Sequence, residues 1–121
     1  MKQKPLYSRY VTTIKKEEFI TLFSSCEPEK WFSNRELEKF SFPGNARSLA
    51  GRYLIKRTIC DYIKEPGKMN EIEIINNDFG KPEVILGANI LYAIELSGII
   101  KIHCSISHSK NFITGMTILC F

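Results

Sequence analysis

The stretch Leu49-Ala-Gly-Arg-Tyr-Leu-Ile-Lys56 lies within the longest helical pattern of this 121-residue chain. Apolar or small residues recur at helical spacing from Leu49 to Ile63, and this periodicity predicts a helix over residues 46–63 with one mostly buried face. Pro66-Gly67 follows as a stop signal. We expect this helix to be the central element of the fold.

Segments on both sides of the central helix predict the remaining elements. The patterns indicate strands over residues 7–14, 71–76, 81–86, 100–106 and 112–120 and helices over residues 15–23, 34–40 and 88–96, with residues 27–30 as a connector. Ser33-Asn-Arg-Glu36 is a capping box at the start of the second helix. We therefore predict a single α+β domain over residues 1–121, with a mainly antiparallel sheet packed against the long central helix.

The charge of the chain is unevenly distributed. Lys and Arg total 17 and Asp and Glu total 13, which gives +4; residues 1–60 carry a net +6 and residues 61–121 a net −2. This asymmetry favours an acidic or phosphorylated partner for the first half, although a merely solvated surface remains an alternative. A nucleic-acid partner is not expected, because no clustered Lys/Arg stripe is present.

The distribution of apolar residues and the spacing of the cysteines indicate a cytoplasmic protein. No apolar stretch reaches the roughly 20 residues of a membrane helix, and residues 1–5 lack the apolar region of a signal peptide, so we expect no membrane partner. The four cysteines form no Cys-x-x-Cys pair. His103 and Cys104 would point to opposite faces of a strand, so a zinc site is not predicted and the thiols are expected to be reduced.

Arg52 and Lys56 are the first candidate binding residues. They lie four residues apart and so share one face of the predicted helix, where they repel each other unless an anion sits between them. A phosphate would relieve that repulsion, and Gly51 would allow a backbone or ligand to approach closely. The alternative is two solvated bases on an exposed face.

Two further segments carry polar side chains. In Asn76-Asn-Asp-Phe-Gly-Lys-Pro82, Gly80 permits positive φ and Lys81 stands beside the fixed Pro82, although such turns are often purely structural. In His103-Cys-Ser-Ile-Ser-His-Ser109, a cluster of hydroxyls and an imidazole lies where a strand gives way to a loop. This cluster can donate hydrogen bonds to phosphate oxygens, whereas a hydrolase triad is not supported because no Gly-x-Ser-x-Gly surrounds the serines.

In this order and spacing, the segments resemble the holo-acyl-carrier-protein synthases, the short type of 4′-phosphopantetheinyl transferase. Ser33-Asn-Arg-Glu-Leu37 is similar to the family's Thr-x-x-Glu-Leu, and Leu49 to Lys56 to its Leu-Ala-Gly-Arg-Phe-x-x-Lys. Gly80-Lys-Pro82 matches its Gly-Lys-Pro, and His103 to Ser109 is similar to its His-Val-Ser-Ile-Ser-His-Ser.

The resemblance implies an enzyme that transfers phosphopantetheine from coenzyme A to a serine of an acyl carrier protein. It also implies Mg²⁺ at the pyrophosphate and a homotrimer with active sites between subunits. By this resemblance, the residues that line or support the coenzyme A site are Arg52, Lys56, Gly80, Lys81, Pro82, Ser107, His108 and Ser109.

Three positions depart from the family pattern. The family's two metal-binding acids are replaced by Thr13 and Arg57, and its catalytic lysine by Asp61. We therefore assign no metal ligand and regard Arg57 and Asp61, which can pair one helical turn apart, as altered catalytic positions. In one hypothesis Arg57 replaces the metal and leaves a weak or inactive homologue that binds coenzyme A or a carrier protein; in the other, Asp61 is a displaced ligand in a rebuilt metal site.

Overall fold

The computed structural model describes residues 6–121, so the expectation about a signal peptide at residues 1–5 lies outside the described residues. The chain begins with strand β1 and three helices, and after the central helix α4 it forms two hairpins separated by α5. The order is β1 (Tyr7–Lys15), α1 (Lys16–Ser24), α2 (Pro28–Trp31), α3 (Asn34–Lys39), α4 (Ala46–Ile63), a 3₁₀ turn (Met69–Glu71), β2 (Ile72–Asn76), β3 (Pro82–Leu86), α5 (Ala88–Leu96), β4 (Lys101–His108) and β5 (Phe112–Cys120).

The central helix has the bounds that the periodicity predicts. Lys64 follows it with φ 60°, a left-handed conformation in which its N–H reaches back to the Asp61 and Cys60 carbonyls. The helix therefore ends at Ile63, three residues before Pro66. No helix within residues 6–121 combines the length and apolarity that crossing a membrane requires.

The α+β class is confirmed, and all paired strands are antiparallel. The strands form two sheets, a three-stranded one in the order β1-β5-β4 and the hairpin β2-β3. The hairpin adjoins the edge of the larger sheet, where Cys104 Sγ on β4 lies 3.7 Å from the Pro82 carbonyl oxygen on β3. This places the predicted Gly-Lys-Pro turn next to β4.

Glycine allows α4 to lie close to the three-stranded sheet. A Cβ atom at Gly51 would fall 2.3 Å from Cγ2 of Ile106 on β4, and one at Gly115 on β5 would fall 3.0 Å from Cβ of Leu54. The close approach predicted for Gly51 is therefore made by the sheet.

The predicted connector over residues 27–30 is wrong, because α2 forms there. Pro28 opens this helix, where its missing N–H costs nothing, and Phe32 N–H donates to the Pro28 carbonyl at 2.9 Å. The Trp31 ring then packs on Tyr53 of α4, with centroids 4.7 Å apart. This tertiary contact stabilises a helix too short to be recognised from periodicity.

Candidate functional site

Arg52 and Lys56 share one face of α4, as their spacing predicts, and that face points into the protein. Arg52 is 3% exposed and Lys56 is 0% exposed. The alternative of two solvated bases is therefore wrong. Cations in such a place need compensating charge and hydrogen bonds, because removing an ion from water costs on the order of several kcal/mol.

Glu36 on α3 supplies the charge that faces Lys56. Its carboxylate is fully buried and accepts a hydrogen bond from Lys56 Nζ. Oε1 also accepts from the Ser33 N–H at 2.9 Å, which confirms the predicted capping box, and Oε2 accepts from the Ile74 N–H at 3.0 Å. Lys56 Nζ donates further to the Trp31 carbonyl at 2.9 Å. One carboxylate thus joins α3, α4 and β2.

Arg52 ties α4 to the end of β2. Its Nε donates to the Ile74 carbonyl at 2.8 Å and its Nη2 to Asn76 Oδ1 at 3.1 Å. Nη1 donates to the Ser48 carbonyl at 3.1 Å, and the guanidinium lies 3.9 Å from the centroid of the Phe40 ring. All three nitrogens are thus bonded within the chain, so Arg52 positions the end of β2.

Burial lowers the pKa of both bases. The pKa of Lys56 falls from its ordinary value to about 8 because burial disfavours the cation, although Glu36 opposes that shift. The pKa of Arg52 is lowered for the same reason. For both residues, the ligand contact implied by the family resemblance stays a prediction.

The turn after β2 is rigid and presents Lys81 to solvent. Asn77 Oδ1 accepts hydrogen bonds from the N–H groups of Phe79 at 2.9 Å and Lys81 at 3.0 Å. Gly80 has φ 79°, which confirms the positive φ expected at this position. Lys81 and Phe79 are exposed. The backbone of the turn is therefore fixed while its cation remains free to meet a ligand.

A groove of about 390 Å³ lies between this turn and β4. Lys81, Pro82, Lys101 and His103 line it, with Glu83 as the only acid in the described lining. Two ammonium groups and an imidazole against one carboxylate favour an anionic ligand. Lys101 is missing from the predicted site residues, and His103 is predicted only as the first residue of the polar segment that ends at Ser109. Their spacing of two along a strand indicates a common face.

Ser107, His108 and Ser109 lie further along the chain, at the end of β4. All three are exposed, and the Ser109 N–H donates to the Phe112 carbonyl at 2.9 Å to close the β4–β5 loop. Ser107 stands three residues beyond Cys104, the last of the groove residues, which is about 10 Å along a strand. Within one chain, the hydroxyl cluster is therefore separate from the groove at Lys81.

Arg57 and Asp61 form the ion pair that their spacing predicts. Arg57 Nε lies 3.9 Å from Asp61 Oδ2, and both side chains are more than half exposed. Arg57 Nη1 also donates to the Tyr53 hydroxyl at 3.2 Å. With Trp31 and Cys60 these residues line a cleft of about 180 Å³. The ion pair and the hydrogen bond thus hold the Arg57 guanidinium at the opening of this cleft.

Thr13 and Arg57, which the family resemblance places at metal-binding positions, do not fit Mg²⁺. Thr13 is exposed on β1, with its hydroxyl 3.0 Å from that of Thr114, and Arg57 is a cation. Mg²⁺ is held mainly by carboxylates and substrate phosphates, and neither residue supplies an anionic oxygen. Across residues 6–121, no three His, Cys, Asp or Glu side chains are grouped to hold a metal ion. Thr13 and Arg57 therefore do not provide the Mg²⁺ ligands that the family resemblance implies.

Comparison with known structures supports the fold. The acyl-carrier-protein synthase–coenzyme A complex from Chronobacterium ammoniagenes superposes with a TM-score of 0.78 and 19% sequence identity, covering 95% of this chain and 97% of the other. No protein-family model matches the chain.

Curated relatives establish the family. The chain is 32% identical over 98 residues to the holo-[acyl-carrier-protein] synthase of Clostridium perfringens strain SM101, covering 74% of each chain. It is 36% identical over 89 residues to the enzyme of the same name from Clostridium tetani, covering 66% of this chain and 67% of the relative. The chain belongs to the holo-[acyl-carrier-protein] synthase family.

Proposed function

We propose that this chain transfers 4′-phosphopantetheine from coenzyme A to a serine of an acyl carrier protein. Its membership of the holo-[acyl-carrier-protein] synthase family supports this activity. The observation that carries the proposal is the basic groove beside the Gly80-Lys-Pro82 turn, which buried Arg52 holds in place through Asn76. A preformed cationic groove binds a polyanion without having to reorganise.

The proposed reaction is a phosphoryl-type displacement. The serine oxygen of the carrier bonds to the phosphorus that bears pantetheine, the bond from that phosphorus to the bridging oxygen breaks, and adenosine 3′,5′-bisphosphate leaves. The serine proton passes to a base or to solvent. Lys81 and Lys101 would bind the phosphates, and Ser107, His108 and Ser109 would donate hydrogen bonds to their oxygens.

A homotrimer would join the two separated clusters. The groove at Lys81 and the hydroxyl cluster at Ser107 lie apart in one chain, so a site between subunits could combine one from each. The face of the larger sheet that carries Tyr7 and Val11, which are 61% and 58% exposed, is the apolar surface available for such an assembly.

The four cysteines are free, which supports a cytoplasmic location.

A second candidate function is binding without transfer, and the metal positions favour it. Thr13 and Arg57 supply no carboxylate, so the transfer step would lack the Mg²⁺ that the family resemblance implies. In that case Arg57 would neutralise the pyrophosphate, and the chain would hold coenzyme A or a carrier protein. A rebuilt metal site that uses Asp61 is the remaining alternative.

Mass spectrometry of the carrier protein tests the transferase. We expect a mass gain of one phosphopantetheine after incubation with the chain and coenzyme A, at a lower rate for Lys81→Met. Lys64→Met removes an exposed lysine that does not line the groove and should leave the rate unchanged. Coenzyme A binding without a mass gain on any carrier would instead support the binding function.

A further inference from the structure

An apolar cavity of about 230 Å³ opens between the two sheets. Residues of β3, β4 and α5 line it, together with the two residues that precede β4. Strands β3 and β4 approach each other at Pro82 and Cys104, yet no backbone hydrogen bond joins these strands within residues 6–121. The edges of the two sheets therefore leave an opening between them.

Aliphatic side chains form the walls of this cavity. Val84 and Leu86 of β3 and Ile102 of β4 are half-buried. Ile94 of α5 and Ile99 are buried. The described lining contains no aromatic ring and no acid. Walls of this kind favour an aliphatic chain, because such a chain gains free energy by leaving water and needs no polar partner inside the cavity.

Ile100 forms the rim of the cavity. Its side chain is 78% exposed, although it stands between the buried Ile99 and the start of β4. A single exposed isoleucine is ordinary on a protein surface, but this one lines an apolar opening. A chain bound in the cavity would cover part of this exposed apolar surface.

Lys101 supplies the one charge in the described lining. Its side chain is exposed, and no carboxylate within residues 6–121 pairs with it. An ammonium group beside an apolar cavity attracts an anionic group at the end of a bound chain. The volume is below the roughly 300–1,000 Å³ of a site for a drug-sized ligand, which indicates a short chain. We propose that this cavity binds a short-chain fatty acid, with the chain against the isoleucines and the carboxylate at Lys101.

The cavity differs from the groove at Lys81 in chemistry and in most of its lining. The two share Val84, Lys101 and Ile102 at their boundary, whereas Lys81 and His103 line only the groove. The proposal does not depend on transferase activity, because the binding of a fatty acid is measured with this chain alone.

Hexanoate is the probe, followed by NMR of the methyl groups of Ile94 and Ile99. We expect these resonances to shift at saturation. Hexanoate should bind about tenfold more tightly than butyrate, because two further methylenes leave water. 1-Hexanol has a chain of the same number of carbons without the charge and should bind more weakly. Absence of shifts, or equal affinities for hexanoate and 1-hexanol, would overturn the proposal.

Two exposed positions provide variants that leave the core intact. Lys101→Met removes the cation and Ile100→Ser removes the apolar rim, and each should weaken hexanoate binding by about threefold. The matched controls are Lys64→Met and Ile85→Ser, which change exposed residues outside the lining and should bind as the unmodified chain does. Equal affinities in all four variants would contradict the proposal.

A titration with coenzyme A in place of hexanoate separates the cavity from the groove. Coenzyme A should leave the methyl resonances of Ile94 and Ile99 unchanged, because these residues line only the cavity. If coenzyme A shifts them as hexanoate does, the cavity is part of the groove and the proposal is wrong.

Discussion

Glu36 and Lys56 form an ion pair in which both side chains are 0% exposed. The two residues are 20 positions apart and connect α3 to α4. The Glu36 carboxylate also bonds to the N–H of Ile74, so the pair fixes the hairpin that carries Lys81. The buried ion pair therefore helps to hold the turn at Lys81, the candidate binding turn, in position.

Glu36→Gln should destabilise the protein strongly. The substitution leaves the Lys56 ammonium buried without a counter-charge, which costs about 3–5 kcal/mol. Urea unfolding measures the loss, and Glu38→Gln on the exposed side of α3 is the matched control, with an expected change within about 0.5 kcal/mol. Equal stabilities for the two variants would show that the pair does not compensate buried charge.

Stability should rise with pH from about 8 to 9. The folded chain loses the Lys56 proton near pKa 8, while the unfolded chain keeps it up to the ordinary lysine value of 10.5. The unfolded state then binds more protons, so the free energy of unfolding increases with pH in this window.

The titration of two buried thiols ends this rise in stability near pH 9. Burial raises the pKa of Cys60 and of Cys104 to about 11, so above pH 9 the unfolded chain loses thiol protons first and stability falls. Denaturant titrations at pH 7.5, 8.25 and 9 test the sign. The double variant Glu36→Gln with Lys56→Met should lack the rise, and a rise that persists in it would have another origin.

Gly51→Ala should destabilise the contact between α4 and the sheet. The new Cβ would fall 2.3 Å from Ile106 Cγ2, and we expect a net loss of about 1–2 kcal/mol although alanine is the better helix former. At Gly44 a Cβ meets nothing within 4 Å, so Gly44→Ala is the control.

A double-mutant cycle isolates this contact. In an Ile106→Ala background the clashing methyl is absent, so Gly51→Ala should cost less or become stabilising. Additive losses in the cycle would place the cause elsewhere in α4.

Exchanging the charges at Arg57 and Asp61 should create metal dependence. In the unmodified chain we expect coenzyme A to bind equally well in Mg²⁺ and in EDTA, because the Arg57 guanidinium supplies the positive charge. In Arg57→Glu with Asp61→Lys, binding in EDTA should weaken by about tenfold and Mg²⁺ should restore it. Isothermal titration measures both.

Lys101→Met provides the comparison for that experiment. This substitution removes a cation from the groove and leaves the residues of the Arg57 cleft unchanged. The affinity of the variant for coenzyme A should therefore fall equally with and without Mg²⁺. Strict Mg²⁺ dependence in the unmodified chain would instead support a rebuilt metal site that includes Asp61.

Local patterns account for most of the secondary structure. The bounds of α4, α5 and β5 agree with the periodicity, because each is long enough for its apolar spacing to be unambiguous. Helix α2 was not predicted, since its four residues depend on Trp31 packing against Tyr53. The division of five strands into two sheets also depends on contacts distant in sequence.

The spacing of Arg52 and Lys56 by itself determined that they share a helix face and need an anion nearby. Only the tertiary structure decided that the anion facing Lys56 is Glu36, and that both bases are buried. The spacing of residues along a helix fixes the direction of their side chains around the helix axis. Which residue supplies the counter-charge depends instead on how the chain packs α3 against α4. For the same reason, the sequence motifs predict the turn at Lys81, but only the tertiary structure shows that Lys101 and His103 lie beside it.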